Sequence, residues 1–187
     1  MTLVKTICSI TLFLTVSSIY AADQVDMKYD PMIHENIPAP LPGACTVVIG
    51  NINDIRPNKE TVGNEFTTLL SGDPKPWIND ALNNLTAYGF KVVPSDDAPQ
   101  DAKAIWLNTS LYRSYTWNGP MRINGMVAMK VEYNRTGSEP ITHKIRAFAG
   151  KTNWASATSE YMTALNFAMN NVLDKLAKEL EGVCQAI

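Results

Sequence analysis

The chain has 187 residues, of which 45% are hydrophobic and 18% are charged, and its formal net charge is −2. This length and composition are typical of one globular domain and exclude a large multidomain machine, a collagen-like chain and a disordered chain. The near balance of acidic and basic residues argues against a nucleic-acid partner, because such proteins bind phosphates through an excess of lysine and arginine.

The first 22 residues have the pattern of a signal peptide. Lys5 supplies a positive start, residues 7–19 are apolar, and Ala21 and Ala22 are small enough for cleavage. The apolar run has about 13 residues, short of the roughly 20 that a membrane-spanning helix needs. We therefore expect residues 1–22 to be removed on export and the mature form to have no transmembrane span. The expected location is the periplasm, with secretion or attachment to the outer membrane through a partner as alternatives.

Two cysteines, Cys45 and Cys184, remain after the signal peptide and its Cys8 are removed. In an oxidising compartment two cysteines permit one intramolecular pairing, so the sequence predicts a Cys45–Cys184 disulfide. The alternative is a pair of buried free thiols.

Residues 23–43 are rich in proline, with Pro31, Pro38, Pro40 and Pro42, and show little periodicity. This composition predicts an extended arm outside the core. It is either a disordered leader or an arm that lies across the sheet or on a partner. Residues 44–187 are expected to form a single domain.

The first half of this domain predicts a strand, a helix and a second strand. Residues 45–52 are a β-branched run typical of a buried strand. A helix opens at Pro74, has apolar residues at steps of three and four, and ends at Gly89 in a left-handed cap. A short strand over residues 90–93 follows, and residues 96–103 form a polar surface loop.

Three antiparallel strands come next. Residues 104–117 alternate between apolar and polar side chains, and the Asn118–Gly119 pair is typical of a hairpin turn. Ile123, Val127, Met129, Val131 and Tyr133 then share one face of the returning strand. A second turn over residues 134–140 leads to a strand over residues 141–148.

The last element is a long amphipathic helix over residues 158–180, which Gly182 is expected to end. A helix between the first two strands favours parallel pairing there, while the three-strand meander is antiparallel. The predicted fold is therefore a two-layer α+β or α/β sandwich: a mixed sheet of about five strands with two helices on one face.

The sequence offers no pattern of catalytic or metal-binding residues. It has two histidines and lacks zinc-type spacings and a GxSxG nucleophile motif. His143 lies between two isoleucines on the predicted core-facing side and is expected to be a hydrogen-bonded core residue. We expect no catalytic residue, no metal and no cofactor.

The loop after the first strand is the most informative irregular segment. Asp54 and Arg56 are two residues apart, so their side chains can point the same way from extended backbone and pair, and the loop ends at Gly63. The pair is either a structural clamp, which we favour, or part of a recognition loop at the end of a strand.

A second candidate is the sheet face away from the helices. Alternation gathers aromatic and charged side chains there, a mixture common at interfaces. The alternative is that the arm or a loop covers this face. The candidates for partner binding are Trp106, Tyr112, Lys130, Lys144, Arg146 and Phe148. The same alternation also places Met126 and Glu132 on this face.

Two local patterns are similar to those of a known family. Residues 47–56 read VVIGNINDIR, and residues 82–90 read LNNLTAYGF. With the order of elements, they make residues 46–180 resemble the YajG-type family of bacterial envelope lipoproteins. The resemblance implies a small mixed sheet with two helices and a periplasmic, partner-binding role, in a family with no established enzymatic activity. The chain departs from that family because it lacks a lipidated cysteine after the signal peptide.

The expected function is thus that of a non-enzymatic envelope accessory protein that binds a protein or an envelope component. One alternative is a secreted enzyme or effector with an unrecognised site, in which acids such as Asp54, Asp96 and Asp97 would supply the chemistry. Another is a carrier of a small apolar ligand held between sheet and helices.

Overall fold

The computed structural model describes residues 23–31, 38–63, 69–95, 104–135 and 138–186. The predicted signal peptide and the predicted loop over residues 96–103 lie outside these ranges. Within them the chain forms seven strands, two α-helices and one short 3₁₀ helix. The strands are β1 (Asp23–Val25), β2 (Thr46–Asp54), β3 (Leu69–Ser71), β4 (Lys91–Pro94), β5 (Ile105–Gly119), β6 (Arg122–Arg135) and β7 (Ile141–Thr152). The helices are α1 (Lys75–Asn83), the 3₁₀ helix (Asn84–Tyr88) and α2 (Thr158–Gln185).

The main sheet has five strands in the order β4-β2-β5-β6-β7. Strand β2 runs parallel to β4 and to β5, whereas β5, β6 and β7 form an antiparallel meander. The predicted mixed sheet with two helices is confirmed. The predicted helix after Pro74 is also confirmed, although its last turn is a 3₁₀ helix, and Gly89 caps it with a φ of 92°.

The core lies between one face of this sheet and the two helices. The helices contribute Trp77, Leu82, Leu165 and Leu173, which pack against odd-numbered residues of β5 and β6. Helix α2 crosses β6 closely at Gly125, where an added Cβ would overlap the backbone of Ala164. We call the opposite face of β5, β6 and β7, which neither helix covers, the open face.

Residues 23–31 are part of the core, so the prediction of an arm outside it is wrong for this segment. Val25, Met27 and Tyr29 are buried, and β1 pairs in parallel with β3 in a second, two-stranded sheet. The Tyr29 hydroxyl donates to Asn170 of α2 at 2.6 Å. Every second residue from Val25 to Tyr29 is apolar, and this alternation indicates an extended segment with one buried side.

Three other predictions need correction. The hairpin turn falls on Pro120 and Met121 instead of Asn118–Gly119, because Gly119 still pairs with Arg122. Helix α2 passes through Gly182 and ends at Gln185, since packing and the bond at Cys184 hold its last turn. His143 is not a core residue: its side chain is 44% exposed and lies 3.4 Å from Glu179 of α2.

A disulfide joins Cys45 and Cys184, as the sequence predicts. Their Cα atoms are 5.8 Å apart. The bond links the residue before β2 to the last turn of α2 and so ties the sheet to the helix layer.

Candidate functional site

Arg56 is a buried clamp at the end of β2. Its Nε and Nη2 donate to the two carboxylate oxygens of Asp54, each at 2.9 Å. Nη1 donates to Ser71 of β3 and Ser114 of β5, and Nη2 also donates to the Lys59 carbonyl. One side chain therefore ties the loop after β2 to both sheets.

The Asp54 carboxylate is held in its ionised form. Burial alone would raise its pKa, but hydrogen bonds from the Arg56 side chain and backbone N–H outweigh burial and lower it. Because the five N–H donors of Arg56 all have acceptors within the protein, the geometry favours a structural clamp over direct contact with a ligand.

Residues 57–63, the rest of this loop, are hydrogen-bonded to the second half of β5. The backbone N–H of Thr116 donates to the Val62 carbonyl at 2.7 Å, and its hydroxyl donates to the Gly63 carbonyl at 2.9 Å. Gly63 has a φ of 79°, and a Cβ at this position would overlap the ring of Tyr115. Only glycine lets the loop lie flat against that ring.

A groove of about 370 Å³ lies where this loop meets the open face. The loop contributes Pro57, Thr61 and Gly63, and the sheet contributes Tyr112, Tyr115 and Met126. The two regions that the sequence singled out separately are thus two walls of one concave surface. Aromatic and apolar walls with a few polar groups are typical of binding sites.

An aromatic cluster extends the open face from the groove towards β7. The rings of Tyr115 and Trp117 stack at 6.1 Å between centroids, and Trp117 meets Phe148 edge to face at 6.3 Å. The Arg146 guanidinium lies 4.4 Å from the centre of the Phe148 ring, in a cation–π arrangement. Phe148 is 47% exposed, so the cluster is open to a partner.

Tyr115 and Trp117 are site residues that alternation along β5 misses. Strict alternation places them on the core side, but the register of β5 against β6 shifts between Leu111 and Arg113, at a β-bulge. The bulge turns Tyr115 and Trp117 to the open face and Ser114 to the core side, where it reaches Arg56. Arg113 is the sequence signal for this bulge, because strict alternation would place its charged side chain in the core.

The predicted partner-binding residues all belong to the open face, but they do not form one cluster. Phe148 and Arg146 lie beside the groove, whereas Trp106 pairs with Asn134 at the far end of β5, about 30 Å from Tyr115 at the usual rise per residue. Between them, Lys130 lies 3.6 Å from Glu132 in an exposed ion pair. Lys144 is exposed opposite Lys130, and Tyr112 lies in the bulge.

The meander carries a charge excess that the whole-chain balance conceals. Residues 104–135 and 138–152 hold seven lysines and arginines against two glutamates, in a chain of net charge −2. Register places Arg113, Arg122, Lys130, Lys144 and Arg146 on the open face. This face therefore suits a partner with acidic groups.

A larger cavity of about 610 Å³ lies elsewhere, between residues 24–31 and the first turns of α2. Its lining combines apolar side chains with polar and charged ones, among them Asp26, Lys28, Asp30 and Asn166. It contains none of the residues that the sequence predicted for a site. In the part of the chain that the structure describes, no group of three or more His, Cys, Asp and Glu residues is placed to hold a metal ion. Over the same residues, no helix is long and apolar enough to span a membrane.

The comparisons with known proteins show similarity of fold. No protein-family model and no curated protein matches this sequence. Among solved structures, protein XCC0632 from Xanthomonas campestris, described by the DUF330 family model, has a TM-score of 0.56 and 10% identity. That match covers 88% of this chain and 99% of the other.

Two further structures are less similar. The hypothetical protein CT253 from Chlamydia trachomatis has a TM-score of 0.45 and 8% identity, over 77% of this chain and 99% of that one. A minor lipoprotein from Acinetobacter baumannii has a TM-score of 0.43 and 8% identity, over 74% and 93% of the two chains. At these scores neither structure supports an argument about function.

Proposed function

We propose that this chain is an exported, non-enzymatic accessory protein of the bacterial envelope that binds a protein or an envelope component through its open face. Export rests on the signal-peptide pattern of residues 1–22. The disulfide supports this location, since such bonds persist in oxidising compartments. The periplasm is the proposed compartment, with secretion or attachment to the outer membrane through a partner as the alternatives.

The observation that carries the binding proposal is the aromatic cluster beside the groove. Tyr115, Trp117 and Phe148 lie together on a sheet face that neither helix covers, with Arg146 against one ring. Aromatic and arginine side chains are enriched at the centres of protein interfaces. The cations of the same face favour a partner that presents acidic groups at the rim.

The resemblance to the YajG-type family supports the same role. It implies a periplasmic, partner-binding protein, and the observed mixed sheet with two helices is the fold that the resemblance implies. The sequence lacks the family's lipidated cysteine after the signal peptide, and attachment to the outer membrane through a partner is therefore one of the alternatives.

An enzymatic role has less support from the geometry. Of the acids that such a role would use, Asp54 is engaged by Arg56, and Asp96 and Asp97 lie outside the described residues. Profiling against a broad set of envelope substrates would detect turnover if this alternative is correct. Native mass spectrometry of the purified protein would likewise detect a bound small apolar ligand.

The decisive experiment is cross-linking of the protein in its native envelope, followed by mass spectrometry of the captured proteins. We expect one recurrent partner with the wild-type chain and its loss from a Trp117→Ala/Phe148→Ala variant. Trp106→Ala tests whether the contact reaches the far end of the face. Ile141→Ala is a matched control, because Ile141 is an apolar residue, 45% exposed, on the other face of the meander.

A partner that is retained by the Trp117→Ala/Phe148→Ala variant would show that the open face is not the interface. Failure to capture any recurrent partner would favour the enzyme, effector or carrier alternatives.

A further inference from the structure

Two loops meet at one end of the sheet and form what we call the apolar tip. One is the β5–β6 turn with Met121, and the other is the segment between β7 and α2 with Trp154. The N–H of Asn153 donates to the Met121 carbonyl at 3.0 Å and joins the two loops. Met121 is 81% exposed and Trp154 is 84% exposed, the highest values among the large apolar side chains that the structure describes.

The backbone of the Trp154 loop has its N–H groups satisfied inside the protein. Glu160, in the first turn of α2, accepts three of them, and Asn153 accepts a fourth through its side chain. The five bonds are Asn153 N to the Met121 carbonyl, Trp154 N to Glu160 at 3.1 Å, Ala155 N to Glu160 at 3.0 Å, Ser156 N to Asn153 at 2.8 Å, and Ala157 N to Glu160 at 3.2 Å.

This arrangement removes one part of the cost of burying the loop in an apolar phase, the part due to its N–H groups. A backbone N–H that loses water without gaining a partner costs free energy, which usually keeps irregular loops out of lipid. Here the five consecutive amides need no water. The Glu160 charge is itself neutralised by Lys151, whose Nζ lies 3.1 Å from its carboxylate.

The chemistry of the tip fits a lipid surface better than a second protein. Tryptophan is enriched at membrane interfaces, where its ring is in the apolar region and its N–H in the headgroups. An exposed cation, Arg122, follows Met121 directly, on a meander rich in lysine and arginine. A protein interface of ordinary size takes about 800 Å² from each partner, far more than two side chains on a tip supply.

We propose that the apolar tip inserts Met121 and Trp154 into the interface of a bilayer that contains anionic lipids. The apolar residues of the tip are not those of the aromatic cluster or the groove, so its test does not rest on the partner proposed for the open face. This contact would hold the molecule reversibly at a membrane surface.

The test is binding of the protein to vesicles of phosphatidylethanolamine and phosphatidylglycerol in a 3:1 ratio. The protein is purified after export, and mass spectrometry establishes that its N terminus is the same in every variant. We expect co-sedimentation with the vesicles and a blue shift of tryptophan emission. A Met121→Ser/Trp154→Ser variant should bind about tenfold more weakly or worse, because it loses two large apolar side chains from the contact. Vesicles of phosphatidylcholine alone should bind less tightly than the anionic ones.

Ile141→Ser is the matched control, since it removes an exposed apolar side chain from the opposite end of the meander and should leave binding unchanged. A Trp154→Phe variant should bind while losing the blue shift, which assigns the signal to this residue instead of Trp106 or Trp117. The proposal is overturned if the double variant binds as well as wild type, if wild type does not bind, or if neutral and anionic vesicles bind equally.

Discussion

Arg56 uses all five of its N–H donors inside the protein, and this gives it a structural role in the site. A cation with every donor satisfied positions its neighbours, while the exposed Arg146 beside Phe148 is free to meet a ligand. Asp54, Ser71 and Ser114 come from three different strands and meet only at this guanidinium. The groove wall therefore depends on one residue that does not itself need to touch the partner.

Replacement of Arg56 by leucine should destabilise the fold strongly. It leaves the Asp54 carboxylate partly buried without its cation, a change that typically costs about 3–5 kcal/mol. Arg56→Lys should recover part of the lost stability, because it restores a positive charge beside Asp54. The recovery should be incomplete, because an ammonium cannot make the bidentate contact. Urea unfolding measures the difference, with Lys59→Ala as a control in the same exposed loop. A small change for Arg56→Leu would show that the clamp is not structural and would reopen a recognition role.

In β5, one extra residue at the bulge changes which face of the sheet the following side chains occupy. The first half of β5 follows the alternation that the sequence predicts, and Ile105, Leu107 and Leu111 lie in the core. The bulge beyond Leu111 then inverts the pattern, and neither Tyr115 nor Trp117 could be assigned to the open face by period alone. Bulges are set by long-range pairing, in this case with β6 and with the loop at Val62.

Strand β7 is an edge strand, and two of its outward-facing carbonyls accept hydrogen bonds from side chains of α2. Asn171 of α2 donates to the Phe148 carbonyl at 2.9 Å, and Lys175 donates to the Arg146 carbonyl at 2.7 Å. These two bonds oppose the addition of a strand from another chain along the middle of this edge. They direct partner binding towards the side chains of the open face and away from backbone pairing.

The N-terminus of α2 should make stability depend on pH through Glu160. Backbone N–H groups of Ala155, Trp154 and Ala157, together with Lys151, lower the pKa of Glu160 to about 2, from an ordinary value of 4.5. A lowered pKa in the folded state means that the unfolded chain binds the proton first as the pH falls. The stabilisation is complete above about pH 5 and is lost as the pH falls from 4.5 towards 2.

Thermal melts between pH 7 and pH 2 can isolate this contribution. Wild type should melt well above Glu160→Gln at neutral pH, and the gap should close as the pH approaches 2. Glu181→Gln is the control, because Glu181 lies on the same helix near its other end and should show no comparable gap. A gap of constant size down to pH 2 would contradict the assignment.

At the scale of the whole molecule, the features that the sequence predicts are those that depend on residues close together in the chain. The buried strand β2, helix α1 and the Gly89 cap of the 3₁₀ helix that follows it, and the succession of elements from β4 to α2 along the chain follow from periodicity and glycine positions. The spatial order of the strands in the sheet does not. The hydrogen bonds of Tyr29 could not be predicted, because its partners Asn84 and Asn170 are far away in the chain. The groove could not be predicted either, since it forms only where a loop and a bulged strand meet.

The Cys45–Cys184 disulfide should contribute a large part of the stability of the whole fold. It closes a loop with a sequence separation of 139 residues, for which the chain-entropy model gives roughly 4–5 kcal/mol. A Cys45→Ala/Cys184→Ala variant should keep its secondary structure, since the core is extensive, but unfold at lower urea concentration. Reductant should lower the stability of wild type towards that of the variant and leave the variant unaffected. Identical gel migration of wild type with and without reductant, with two thiols titrating in the unfolded unreduced chain, would show that the bond does not form in the protein.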